Sequence, residues 1–74
     1  MKITGTRSNI YIEYEGKTLI MDGEMVINGF YAETNTMRWK PPFESVPISN
    51  ELKNKIINEV IKESKDKDFQ IFFE

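Results

Sequence analysis

The hydrophobic pattern of this chain changes from strand to helix period at Pro41-Pro42. Before that point apolar residues recur every second position in short runs; after it, from Leu52 to Ile61, they recur at helical spacing. Neither proline can donate to a strand ladder, so a sheet has to end there and a connector over 40–47 has to begin. The chain has 74 residues, with no cysteine and no histidine. That length makes one domain spanning 1–74. Neither a disulfide nor a Cys/His metal site can supplement so small a core, so packing has to hold it. These constraints select an α+β fold. The expected architecture is an antiparallel β-meander of four to five strands, one long amphipathic helix packed on one face, and a C-terminal strand.

Asn9–Tyr14 alternates cleanly, with Ile10, Ile12 and Tyr14 on one face and Tyr11 and Glu13 on the other. Glu15-Gly16-Lys17 reads as a turn, and 18–21 as a second strand. Asp22-Gly23 then carries the strongest short-range hairpin signal, because the tight hairpin turn needs positive φ. Strands follow over 24–28 and 30–33, separated by Asn28-Gly29, with a further one over 36–39. Ser49 is the expected helix N-cap. Leu52, Ile56, Ile57, Val60 and Ile61 form one apolar stripe over a helix at 52–65. Lys65-Asp66-Lys67-Asp68 reads as a solvated connector. Residues 69–74 make the last strand, whose Phe72 breaks a simple in/out alternation and suggests a strand covered on both faces. The helix can cover one sheet face only. The expected covered set is Ile10, Ile12, Met25 and Ile27 with Phe69, Ile71 and Phe73, which leaves Tyr11, Val26 and several carboxylates on the other side.

Enzyme chemistry finds little support. Without histidine or cysteine, no side chain titrates near neutral pH and the strongest nucleophile is missing. Asp22 and Glu24 flank a glycine at an expected turn, not in a cleft that would divide acid and base roles between them. The four glycines are isolated, so there is no phosphate-binding loop. No metal or other cofactor is expected. The N-terminus has no apolar signal segment, and no apolar run approaches the roughly 20 residues of a membrane span, so the expected location is the cytoplasm.

Charge directs attention to a surface. The net charge is −2. From Tyr11 to Glu33, however, the five carboxylates of Glu13, Glu15, Asp22, Glu24 and Glu33 face the single ammonium of Lys17, a net −4. Such a surface repels nucleic acid and attracts basic partners. Lys2, Arg7, Lys17, Arg38 and Lys40, with Tyr11, Tyr14, Phe30 and Tyr31 as stacking rings, form the rival pattern of a single-strand nucleic-acid binder. The isoelectric point near 5.1 argues against it. Trp39 lies between Arg38 and Lys40, ahead of the two prolines. Trp and Arg are the residue types most enriched at interface hot spots, but a small domain also tends to bury its only tryptophan.

Gly23-Glu24, Gly29-Phe30, the run Met37-Arg38-Trp39-Lys40-Pro41-Pro42-Phe43, Pro47-Ile48-Ser49 before the helix and the terminal Gln70-Ile71-Phe72-Phe73-Glu74 occur in one order along the chain. In these motifs it resembles a family of bacterial polymorphic-toxin immunity proteins, immunity protein 74. Lys40 stands where a glutamate would be natural after the tryptophan. The resemblance implies a cytoplasmic, non-enzymatic protein that binds and neutralises a cognate toxin domain, with no metal and no membrane. A nuclease toxin would present a basic cleft to the acidic strands. The expected partner-binding residues are Tyr11, Glu13, Glu24, Phe30, Tyr31, Glu33, Arg38 and Trp39, on a monomer or weak homodimer. The alternative is a self-associating module that pairs through a free edge at 36–39 or at the last strand.

Overall fold

Glu15 and Gly16 make the reversal between the second and third strands. Both adopt positive φ, 47° and 79°, as a two-residue hairpin turn with the twist of its flanking strands requires. They join β2 (Asn9–Tyr14) to β3 (Lys17–Val26), with Tyr14 opposite Lys17. β1 (Lys2–Gly5) lies antiparallel on the other side of β2. The computed structural model describes residues 1–65, 67 and 69–74, so the connector expected at Lys65-Asp66-Lys67-Asp68 lies partly outside the described residues.

Asp22-Gly23 does not turn the chain. β3 runs through it for ten residues, merging the two strands expected at 18–21 and 24–28. The Asp22 carboxylate is held by donors on the two neighbouring strands: Asn9 Nδ2 at 2.7 Å and an Arg38 guanidinium nitrogen at 3.0 Å both donate to Oδ1. Its main-chain N–H donates to Thr36 Oγ1 at 2.8 Å. Gly23 has no positive φ; it is there because β4 approaches too closely for a side chain. The reversal after β3 falls at Ile27-Asn28, where Asn28 takes φ 59°. Ile27, expected in the core, is therefore a turn residue with 92% of its surface exposed.

β4 (Gly29–Ala32) and β5 (Arg38–Trp39) both pair antiparallel with β3. Gly23 faces Ala32 and Leu19 faces Trp39, so four steps along β3 correspond to seven along its partner. The three extra residues are taken up around a 3-10 turn at Thr34–Thr36. The Glu33 N–H bonded to Asp22 O and the Lys40 N–H bonded to Thr18 O hold the two ends of this detour.

The helix α1 (Asn50–Ser64) is capped by Ser49, whose Oγ accepts from the Leu52 N–H at 3.1 Å. Ile56 and Val60 are fully buried, each stabilising by roughly 1.5–3 kcal/mol relative to exposure. Ile61, expected in the apolar stripe, is half exposed, and the small Ser64 is buried at the end of the arc instead. After α1 the chain returns as β6 (Gln70–Phe73), parallel to β4 with Phe30 opposite Ile71. The strand order is β1-β2-β3-β4-β6, with β5 off the path on β3. The meander is therefore antiparallel through β4, and the closing strand makes the sheet mixed. A parallel neighbour needs a crossover connection, and α1 provides it.

The covered face carries Ile10, Ile12, Leu19, Met21, Phe30, Ala32 and Ile71 against Ile56 and Val60, with Met37 and Trp39 closing one side. Met25 and Phe69, also expected there, lie beyond the end of the helix and are half exposed. On the outer side of α1 the Tyr14 hydroxyl, Glu59 and Glu15 hold the Lys55 ammonium above its ordinary pKa of 10.5. A raised lysine pKa stabilises the fold below the unfolded value and ceases to do so as pH rises through the folded one. A Lys55→Met variant should therefore melt slightly below the parent at pH 8, with the difference fading as pH rises through the folded lysine's pKa. A difference that persists at high pH would assign the effect to packing of the lysine stem.

Candidate interaction surface

Because α1 covers one face, the other face of the sheet is bare, and strand register decides what it presents. One cross-strand row runs Thr4, Tyr11, Ile20 and Arg38, and the next holds Lys2, Glu13 and Thr18. Towards the β6 edge a third row runs Glu24, Tyr31 and Phe72. The rings of Tyr31 and Phe72 stack with centroids 5.0 Å apart and planes inclined by 29°. Each residue keeps 43% of its surface exposed. Gly29 makes room for this pair, since a Cβ there would lie 3.0 Å from the Phe72 ring and 2.6 Å from Gln70 O.

The acidic stretch does not form one surface. Asp22 is paired with Arg38 at 3.0 Å. Glu13 shares a concavity with Lys2 and Lys40, and Glu15 lies towards Lys55. Glu24 and Glu33 are left, and Glu74, directly after β6, joins them. Together with Gly23 these three line a shallow concavity around Tyr31. Among the described residues none of the three forms an ion pair. The outer face therefore has a charge-balanced end around Tyr11 and Glu13, and an end where three unmatched carboxylates rim an exposed aromatic pair.

Two residues expected at the surface are in the core. Phe30 is 1% exposed on the helix side of β4, because Tyr31 takes the outward position and strand neighbours alternate. Trp39 is 4% exposed. It faces Leu19 across the ladder, and the Lys17 ammonium lies 5.6 Å from its ring and 5.4 Å from that of Phe43. Tyr11, Glu13, Glu24, Tyr31, Glu33 and Arg38 do lie on the outer side or its rim. Phe72 and Glu74 were missed. Their signal was the alternation of 69–74, which sets Phe72 opposite in direction to Ile71 and Phe73. The last strand is not covered on both faces: Ile71 is buried on the helix side, while Phe72 on the other side is half exposed.

The rival nucleic-acid pattern is not assembled in space: Phe30 is buried, Lys17 is caught between two rings, Arg38 is engaged by Asp22, and Tyr31 sits among carboxylates. Among the described residues no group of acidic side chains is arranged to hold a metal ion, and no helix is long and apolar enough to cross a membrane.

The class defined by this geometry is a small α+β domain with one helix on a curled mixed sheet and an open second face. Compared with known protein families, residues 2–74 match the family described as Immunity protein 74, and the chain belongs to that family. No curated protein and no solved structure matches it.

Proposed function

We propose that the protein is a non-enzymatic immunity protein that neutralises a cognate toxin domain by one-to-one binding in the bacterial cytoplasm, using the end of the outer sheet face around Tyr31 and Phe72. The observation that carries this reading is the unmatched charge there. Glu24, Glu33 and Glu74 surround Tyr31, which stacks on the half-exposed Phe72, and among the described residues none of the three is in an ion pair. Exposed rings supply contact area at low entropic cost, and a carboxylate rim steers a basic partner to them. The basic substrate cleft of a nuclease toxin would be such a partner. Tyr11, Glu13 and Arg38, at the charge-balanced end, are peripheral to the contact.

The direct test is co-expression with the C-terminal domain of the protein encoded immediately upstream, scored by growth and by recovery of a one-to-one complex. Growth arrest with no complex would remove the reading. Reversal of Glu24, Glu33 and Glu74 to lysine together should slow association with that domain at least about ten-fold at low salt. Each exposed substitution should change stability by no more than about 0.5 kcal/mol. An unchanged association rate would show that the patch does not steer the encounter.

A further inference from the structure

We propose that the free edge of β6 receives an extended segment of the partner, which pairs with the backbone of Ile71 and Phe73, places an apolar side chain on the helix side and sets a cationic side chain over Phe72 beside Glu74. The mode of contact is new. That the segment belongs to a toxin rests on the function proposed above.

The ladder shows which backbone groups are free. The Gln70 N–H donates to Asn28 O and the Glu74 N–H to Ala32 O, both at 2.9 Å, and Glu74 O accepts from the Thr34 N–H at 2.9 Å. In a parallel pair both backbone groups of alternate residues point to the same neighbour. Gln70, Phe72 and Glu74 thus face β4, while the N–H and C=O of Ile71 and Phe73 face away from it. Among the described residues no strand lies beyond β6. Natural sheets guard such edges with lysine, proline or a bulge. β1, at the other edge, begins with Lys2, whereas Gln70-Ile71-Phe72-Phe73 has none of these.

Both sides of an added strand find something to meet. On the helix side, Ile71 lines an apolar cavity of about 360 Å³ with Ile3, Ile10, Met25, Phe30 and Phe69. Met25 and Phe69 are the half-exposed members. The cavity lies between the end of β1 and the start of β6, so a side chain next to Ile71 on the incoming segment would enter it. On the outer side the next side chain stands beside Phe72, on the side away from Tyr31, with Glu74 two residues further along the same chain. A guanidinium there gains a ring face and a carboxylate. This charge complementarity selects the occupant. The outward residues of β6 in a second copy are Gln70 and Phe72, followed by Glu74, and none of these is a cation. Strand addition supplies affinity through the main chain and specificity through alternate side chains, here apolar inward and cationic outward.

The probe is a seven-residue peptide of alternating arginine and valine, acetylated and amidated, added to the whole chain while backbone amide exchange is followed residue by residue. In the free protein the Ile71 and Phe73 amides should exchange fast and those of Phe72 and Glu74 slowly. The peptide should slow Ile71 and Phe73 at least about ten-fold. A version with alternate amides N-methylated, and one with glutamate for arginine, should each bind about ten-fold more weakly or worse. Slow exchange of Ile71 and Phe73 in the free monomer, or no slowing with the peptide, would overturn the proposal. So would equal binding by the N-methylated peptide, or slowing that follows protein concentration alone and so marks a second copy as occupant. The upstream-encoded domain separates the two proposals. If it is neutralised while Ile71 and Phe73 still exchange freely, strand addition fails and the immunity function stands. If the peptide protects those amides and the domain does not bind, the edge is a docking site and the immunity function fails.

Discussion

Replacing Trp39 by alanine is expected to remove most of the protein's folding stability at 25 °C. Removing a buried tryptophan costs about 3–5 kcal/mol, in lost transfer free energy and in the cavity left behind. A domain of this size has a total stability on the order of 5 kcal/mol. Trp39 is 4% exposed, faces Leu19 across the ladder and is part of the continuous core. The chain has no cysteine to form a disulfide, and among the described residues no cluster of side chains is arranged to hold a metal ion. The indole also carries an internal control. Its Nε1–H is buried with no acceptor among the described residues, so Trp39→Phe gives up volume but no hydrogen bond and should cost less than half as much. Urea titrations followed by circular dichroism would rank parent, Trp39→Phe and Trp39→Ala. If Trp39→Ala melted like the parent and lost only affinity for its partner, the residue would be a surface anchor and the packing described above would be wrong.

Trp39 also shows where reading the sequence succeeds and where it stops. Its neighbourhood of cations and prolines suited an interface as well as a core edge, and only the register with Leu19 decides between them. Alternation was legible where a strand is covered on one side: Ile10 and Ile12 go in and Tyr11 goes out, as their spacing requires. The Ser49 cap and the Ile56 and Val60 positions of the helix were legible for the same local reason. Asp22-Gly23 was not. Its composition suits a hairpin turn, but the Asp22 carboxylate is engaged by Asn9 and Arg38, thirteen and sixteen residues away in sequence. Local propensity yields to tertiary contacts of that kind. The acidic stretch failed as a unit because charge summed along a chain says nothing about neighbours across a sheet. Arg38 removes Asp22 from it and Glu74 joins from the opposite end of the sequence. The parallel pairing of β6, which brings Glu74 and Phe72 there, is a property of the crossover and has no signature within 69–74.

Gly23→Ala tests the junction on which core and outer face both depend. A Cβ at Gly23 would lie 1.8 Å from Tyr31 O, 2.9 Å from its carbonyl carbon and 2.7 Å from Phe30 Cε1. Two of these atoms are backbone and cannot rotate away. Phe30 is itself 1% exposed, so its ring has nowhere to go. The strain must be relieved by separating β3 from β4, which breaks the Gly23–Ala32 end of their ladder. The expected loss is about 3 kcal/mol, at the upper end for overpacking. Gly16→Ala is the contrast. Nothing lies within 4 Å of a Cβ there, and its cost is the positive φ alone, about 1 kcal/mol. Urea midpoints of the two variants should therefore differ clearly, with Gly23→Ala lower. The same substitution should lower affinity for the partner even in the fraction that folds, because it moves the backbone of Tyr31, which holds one ring of the stacked pair. If the two variants were equally stable, β3 and β4 would not approach as closely as the structure has them, and the Tyr31–Phe72 pair would lose the platform that aligns it.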